Sequence, residues 1–310
     1  MDSQLSLRRL EVFRLVVDER SVTRAADLLM VAQPAVSAQL RALESWLGAK
    51  LFERRGNRLV LTEAGQRTNH WAKEVLAGSS QLRRDIGDLA SGDTGRVIVS
   101  SSMAVGTYLL PPILAQFGRN RPLADITAPI SRPNEIVTDV ENGECDFAVL
   151  QWDEREHSGA LRFETLQTVN LTLYATSRLV PPGTSLTVDQ ALSLPLIGAP
   201  KDVPYQRGMM AQLRAARYKD PNFVIRLGHA EAMKKAAIEH DCALIVGSYA
   251  IGPDDALKPI DVPGLELEQR IVLVHRRDKR FSPIQLAVVE AIRIALGHDS
   301  HSGAGVSENG

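Results

Sequence analysis

Four things are missing from this sequence, and each absence closes off a class of function. Cysteine is scarce, with only Cys145 and Cys242 in 310 residues. Each opens a strand-like apolar run beside an acidic residue, a setting for packing as a small apolar side chain rather than bridging or ligating. No run of about 18 apolar residues occurs, so no membrane span is expected. There is no G-x-G-x-x-G after a strand, no P-loop and no G-x-S-x-G, and His157, His229, His240 and His275 lack metal-ligand spacing. Neither an enzyme nor a cofactor or metal is expected. Charge of one sign is missing too, with 36 Lys and Arg against 37 Asp and Glu. The first 90 residues hold 14 basic and 11 acidic side chains and the remainder 22 and 26, an asymmetry too small to argue for nucleic acid by itself.

What is present is ordinary for a globular chain of about two domains: 44% hydrophobic and 24% charged residues. Asp2, Arg8, Arg9, Glu11 and Arg14 interrupt any apolar core that a signal peptide would need, so a cytoplasmic protein without membrane partners is expected.

Leu7, Leu10, Phe13 and Val17 recur at three- and four-residue steps, the mark of an amphipathic helix. Ser21 or Thr23 can cap a second, short helix, Thr23–Leu29, packed through Ala25, Ala26, Leu28 and Leu29. After a break at Met30–Ala32, Pro34 suits the first turn of a third helix, where its missing N–H costs nothing. That helix carries Val36, Leu40, Leu43 and Leu47 on one stripe and stops at Gly48. Leu7, Val36 and Leu43 read simply as core. Residues 51–61 read as two short strands around a Gly-Asn turn. Thr62 begins a long polar helix to about Ala90, with a seam at Ala72, Val75, Ser79, Leu82, Ile86 and Leu89. Ser91–Gly95 reads as a hinge.

Beyond it, strands and helices alternate in two sets. Val97–Ser101, Ala124–Ile130 and Phe147–Leu150 enclose helices Tyr108–Phe117 and Asn134–Asn142. Val169–Ala175, Pro195–Gly198, Phe223–Leu227 and Ala243–Gly247 enclose helices Tyr205–Tyr218 and Ala230–His240. Strand Arg270–His275 and a helix after Ser282-Pro283 close the fold. Such alternation predicts mostly parallel sheets with helices on both faces, and two sets predict two lobes with a cleft between them. The tail from Gly297 is small and polar and is expected to be disordered.

Ser21-Val22-Thr23-x-Ala25-Ala26, Ala32-Gln33-Pro34-Ala35-Val36-Ser37, Leu43-Glu44, Leu47-Gly48, Leu51-Phe52-Glu53-Arg54 and Leu61-Thr62-Glu63-Ala64-Gly65 follow one another without a gap. Together they resemble the LysR-type transcription regulators. The later segment resembles that family's effector domain more loosely, through Tyr108-Leu109-Leu110-Pro111 and Gly143-Glu144-Cys145-Asp146. The resemblance implies a regulator that binds double-stranded DNA and answers to a small-molecule effector. It implies an α/β chain: winged helix-turn-helix over 1–65, linker helix 66–90, hinge 91–95 and effector domain 96–297. Lobe I would hold 96–167 and 268–297, lobe II 168–267, and 298–310 would be the tail. The resemblance also supplies self-association through the linker as a dimer of dimers, and RNA polymerase as a further candidate partner.

A recognition helix needs one apolar stripe and one small or polar face. With Val36 inward and about 100° per residue, Pro34, Ala38, Arg41 and Ser45 point outward. Ser37 lies on the flank and Gln33 at the entering end. Gln33 can pair bidentately with adenine, and Ser37 can bond a base or a phosphate. Arg54, Arg55 and Arg58 can take phosphates or reach the minor groove; alone, they would read as a solvated turn. Many family members carry a basic residue where this chain has Ala38.

For the effector, the matching positions are Ser101 and Ser102, the loop Ser131-Arg132-Pro133, and Trp152, each at the carboxyl end of a strand. Helix N-termini and Arg132 suit a small organic anion. The plainer reading has capping serines, a surface arginine and a packing tryptophan. The family's glycine-rich stretch is replaced by Glu239–Val246. A periplasmic solute-binding protein and a DNA-binding protein with an inert second half are the rival readings.

Overall fold

The computed structural model describes residues 5–56, 58–89, 95–152 and 159–297. The chain divides into two compact units, Met1–Gly87 with Glu141–Glu144, and Asp88–Val140 with Cys145–Gly310. Each is taken by itself. Residues 91–94 of the expected hinge and the expected disordered tail, 298–310, lie outside the described residues.

The first unit opens with α1 (Leu7–Glu19), whose first turn is capped by the Ser6 side chain accepting the Arg9 N–H. Next, α2 (Val22–Leu28) is capped by Ser21, not Thr23. Helix α3 (Gln33–Leu47) has Pro34 in its first turn and ends on Gly48 at φ 67°, a left-handed position that suits glycine. An antiparallel hairpin, β1 (Phe52–Arg55) and β2 (Arg58–Leu61), leads into α4 (Glu63–Leu89). Leu10, Phe13, Val16, Ala25, Ala26, Val36, Leu43, Leu51 and Ala72 form the core. Each fully buried large side chain there contributes roughly 1.5–3 kcal/mol.

Three leucines expected in this core lie outside it. Leu7 is 43% exposed, Leu28 59% and Leu47 36%. The small face of α2, Ala25 and Ala26, packs inward, and Leu28 falls beside that face rather than on it. The linker seam is also split. Ala72 and Val75 pack into the core of their own unit, whereas Leu82 and Ile86 stay exposed.

The second unit contains β3 (Gly95–Ser101), a π-turn (Val105–Leu109), α5 (Leu110–Asn120), β4 (Ala124–Thr127), α6 (Pro133–Asn142) and β5 (Phe147–Trp152). The π-turn closes when the Leu110 N–H reaches the Val105 carbonyl. Pro111 and Pro112 follow without N–H groups, which removes the donors for a regular α-helical ladder. Then come β6 (Leu161–Thr176), α7 (Val188–Ser193), β7 (Leu196–Gly198), α8 (Pro204–Ala215), β8 (Phe223–Arg226), α9 (Ala230–Glu239), β9 (Leu244–Gly247), β10 (Leu257–Pro259), β11 (Glu268–Arg276) and α10 (Pro283–Gly297).

The main sheet runs β10-β6-β11-β5-β3-β4, with β9 also paired to β6. It is not mostly parallel. β3 pairs in parallel with β4 and β5, and β7 with β8, but β11 is antiparallel to β5 and β6, as β6 is to β9 and β10. The difference comes from β6, whose 16 residues extend eight positions before the apolar run that marked it in the sequence. β6 carries the chain out of lobe I and β11 brings it back, so the two must run in opposite directions. Lobe I is cored by Val97, Val99, Phe147, Val149, Ile271 and Leu273 beneath α10, with α6 packed on the other face. Lobe II is cored by Leu171, Leu173, Leu192, Leu196, Met209, Leu213 and Ile245. Cys145 and Cys242 are buried and not bridged to each other. In the segment Gly143–Asp146, Gly143 adopts φ 70°. Asp146 is wholly buried, bonded to the Ile98 N–H (2.8 Å) and to Lys279 (2.7 Å).

Candidate DNA interface and effector cavity

On α3 of the first unit, Gln33, Pro34, Ala38, Arg41 and Ser45 are exposed and Ser37 is half-buried, while Val36, Leu40 and Leu43 point into the core. One helix thus presents a small and polar row while its other stripe anchors it. Gln39 is taken up by Arg9 (3.3 Å), which ties α3 to α1.

In the hairpin, Arg54, Arg55 and Arg58 are all exposed. Arg55 and Arg58 stand directly opposite each other in the ladder. Like charges so placed destabilise a hairpin, and among the described residues Arg55 is relieved by its neighbour Glu53 (2.8 Å). An anion outside the tip would relieve both.

Three motif residues serve structure instead. Glu44 accepts the Leu51 N–H (2.9 Å) and pairs with Lys50 (2.8 Å), fixing the path from α3 into the hairpin. The Thr62 hydroxyl donates to the Lys50 carbonyl (2.7 Å) and accepts the Gly65 N–H (2.9 Å), capping α4. At Gly65 a Cβ would lie 2.1 Å from the Leu51 carbonyl oxygen, so no larger residue fits.

In the second unit, a cavity opens between the lobes. Lobe I contributes Met103, Ala104 and Gln151, and lobe II contributes Val203, Tyr205, Leu227, Met233, Val246 and Tyr249 among others. Gln269, at the start of β11, lines it as well. The departure at Glu239–Val246 therefore still builds a far wall, through Val246 and Gly247 of β9. Gln151 donates its side-chain N–H to the Tyr249 hydroxyl (2.6 Å), and Tyr205 donates to the Ile245 carbonyl. Burial pushes Tyr249 up to about 12, with the Gln151 hydrogen bond pulling the other way, and burial also raises Tyr205.

Beside this cavity the lobes are joined by side chains. Tyr108, on the π-turn of lobe I, donates to the Glu231 carboxylate at the start of α9. Lys234 lies under the Tyr108 ring at 5.4 Å and pairs with Asp255 (2.9 Å) and Glu231 (3.4 Å). Burial and then Glu231 raise the Tyr108 hydroxyl well above its ordinary range, so it remains a donor.

The residues expected to hold an effector are not gathered here. Ser101 is wholly buried, its hydroxyl 3.5 Å from the Pro129 carbonyl, and it lines a separate hollow against α5. Ser102 is buried and accepts the Gln151 N–H at 3.4 Å. The Arg132 side chain is exposed, and its backbone N–H goes to Glu135 (3.1 Å). Trp152 stacks on Phe163 (5.2 Å) and lines a separate groove with Gln212 and Arg270. The strand-end rule led to the neighbourhood of the interlobe cavity, but the serines turn back into lobe I because their hydroxyls find backbone partners there. Tyr205, Met233, Tyr249 and Gln269 carried no sequence signal; they meet only once both lobes are folded.

Residues 7–66 match the model of the bacterial regulatory helix-turn-helix proteins of the lysR family, and residues 90–297 match the LysR substrate binding domain. The chain belongs to the LysR family. This LysR-type chain is a DNA-binding transcription regulator with an effector-binding domain, not an enzyme. It is 29% identical over 273 residues to a probable RuBisCO transcriptional regulator of Trieres chinensis, a match covering 86% of this chain and 88% of that protein. It is 34% identical over 148 residues to the protein of that name from Thalassiosira pseudonana, spanning 48% of each. Full-length CbnR complexed with its target DNA shares the fold, with a TM-score of 0.56 and 21% identity over 94% of this chain and all of that one. No helix of the described residues is long and apolar enough to cross a membrane.

Proposed function

We propose that α3 enters the major groove of a specific operator, with Gln33 and Ser37 reading base edges and Pro34 and Ala38 packing on thymine methyls. In this reading Arg41 reaches the backbone, and Arg54, Arg55 and Arg58 of the hairpin take phosphates or the adjacent minor groove. The observation that carries it is the exposed row on α3 set above a fully apolar stripe. The repulsion between Arg55 and Arg58 supports the role of the hairpin.

The working molecule is a homo-oligomer joined through α4, supported by exposed Leu82 and Ile86 on a long helix. Paired dimers, RNA polymerase as a further partner and action in the cytoplasm belong to the same reading, as do the domain limits at about residues 65, 90, 95 and 297. A small molecule bound in the interlobe cavity shifts the assembly by preferring one lobe arrangement. An organic anion held by Ser101, Ser102 and Arg132 has little support, because those side chains do not line the cavity.

Titrations of Gln33→Ala and Arg54→Ala on operator and scrambled DNA at two salt concentrations test the interface. Gln33→Ala is expected to lose roughly 1–3 kcal/mol of discrimination between the two DNAs, while Arg54→Ala weakens both alike and flattens the salt dependence. Equal losses on both DNAs for Gln33→Ala would remove it from the base-reading set.

A further inference from the structure

The chemistry of the interlobe cavity identifies the kind of molecule it takes, given the reading above that the effector binds there. Its lining is Met103, Ala104, Val203, Leu227, Met233 and Val246 on the apolar side, with two tyrosines and two glutamines as the polar side chains. Among the described residues no Lys, Arg, His, Asp or Glu lines it. A carboxylate or phosphate entering would leave water and find no side-chain counter-ion, an unfavourable transfer.

Gln269 is the second observation. It is 8% exposed, and neither its amide nitrogen nor its amide oxygen forms a hydrogen bond. It lies near the Tyr249 hydroxyl, without the alignment of a hydrogen bond to it. Gln151, the other glutamine, already donates its side-chain N–H to the Tyr249 hydroxyl. A buried amide with both ends unsatisfied is costly, and a ligand presenting an acceptor next to a donor satisfies both ends at once. An amide edge has that pattern in neutral form, whereas a carboxylate, being acceptor-only, does not. Helix α8 starts at the same wall after Val203, which gives its first turn no side-chain cap, so backbone N–H groups are available to a carbonyl oxygen.

We propose that the effector is an uncharged, compact, mostly apolar molecule bearing an amide-type edge (a carboxamide, lactam or imide), and that Gln269 reads that edge. The proposal replaces the organic anion with a neutral ligand of similar size. It assigns Gln269 as the residue that distinguishes an amide from the corresponding acid.

The test uses matched probes on full-length protein: benzamide with benzoate, and cyclohexanecarboxamide with cyclohexanecarboxylate, by calorimetry at about pH 7.5, where the acids are ionised. The carboxamides are expected to bind roughly tenfold or more tightly than the acids, the scale of one to two buried hydrogen bonds. Gln269→Leu should remove that preference with an unchanged melting temperature. Gln269→Glu, which keeps size but loses the donor, should do the same and covers the case in which the leucine variant misfolds. Met233→Trp, which fills the cavity, should abolish binding of every probe. Acids binding as tightly as amides, with Met233→Trp still blocking both, overturns the ligand class and leaves the cavity as the effector site. A preference that survives both Gln269 variants removes Gln269 from the proposal. Binding of either pair that is indifferent to Met233→Trp, or no binding of either, overturns the cavity itself.

Discussion

The two units of this chain solve the same problem, placing a few side chains against a partner, in opposite ways. In the first unit the candidate contacts sit on one 15-residue helix and one hairpin. The residues that hold them, Glu44, Thr62 and Gly65, are neighbours in sequence and act through backbone bonds at the Lys50–Leu51 corner. In the second unit the cavity draws on residues from Met103 to Gln269, contributed by both lobes. Local construction leaves a motif; distant construction does not. The DNA-facing half therefore advertises itself in sequence, and the cavity does not.

That contrast can be broken most severely at Gly65. Gly65→Val forces a side chain into the Leu51 carbonyl, a cost of about 3 kcal/mol or more if the corner cannot relax. Operator binding should be lost, while calorimetry on the same protein still shows the effector cavity filled by benzamide. Loss of both would mean that the units do not fold independently.

The next largest effect is expected on α4. Leu82→Asp with Ile86→Asp places charge on the exposed apolar seam. Sedimentation should shift towards monomer, and affinity for paired half-sites should fall roughly a hundredfold through lost avidity, with single half-site affinity preserved. An unchanged oligomer would move the interface elsewhere.

Arg58→Ala should act more gently. Removing one phosphate contact lowers the slope of log affinity against log salt by about one unit, and it removes the repulsion with Arg55, so thermal stability should hold or rise slightly. A falling melting temperature would show that Arg58 has a structural partner instead.

The smallest effect sharpens the comparison within the second unit. Tyr108→Phe removes the hydroxyl that joins the π-turn to Glu231. About 1 kcal/mol of support for the closed lobes should go with it, weakening probe binding roughly fivefold without touching DNA affinity in the absence of ligand. Unchanged probe binding would show that the contact plays no part in closure.

Most of the helices and nearly all of the strands were legible from spacing and turn residues, and so was the exposure of the row on α3 and of the hairpin arginines. The misses have physical causes. Leu7, Leu28 and Leu47 obey helical spacing but lie where the three-helix core has no facing partner. The first half of β6 mixes Arg162, Thr165, Gln167 and Thr168 among its apolar residues, so it lacked the apolar run that marks a buried strand. With that half unseen, the antiparallel crossing could not be deduced. The serines at the end of β3 were assigned outward because strand ends face ligands in general, yet here the Ser101 hydroxyl turns to a backbone carbonyl and the Ser102 hydroxyl to a backbone N–H.

One irregularity in the crossing strands sets the phase of the whole second unit. Between Ile271 and Val272 the ladder slips: Ile271 faces Gln167 and Val272 faces Thr165, so Leu166 has no residue opposite. Before that point the odd-numbered Leu161 and Phe163 belong to the core beneath α6, and after it the odd-numbered Val169 belongs to the core beneath α10. Leu166 acts as a half-wavelength inserted into the alternation of β6. Deleting it would remove the bulge and its local bend while leaving every other pair of the ladder and every facing in place. The two halves of this strand are thus written in opposite phase in the sequence although they are continuous in the sheet, so no single odd–even pattern runs along its 16 residues.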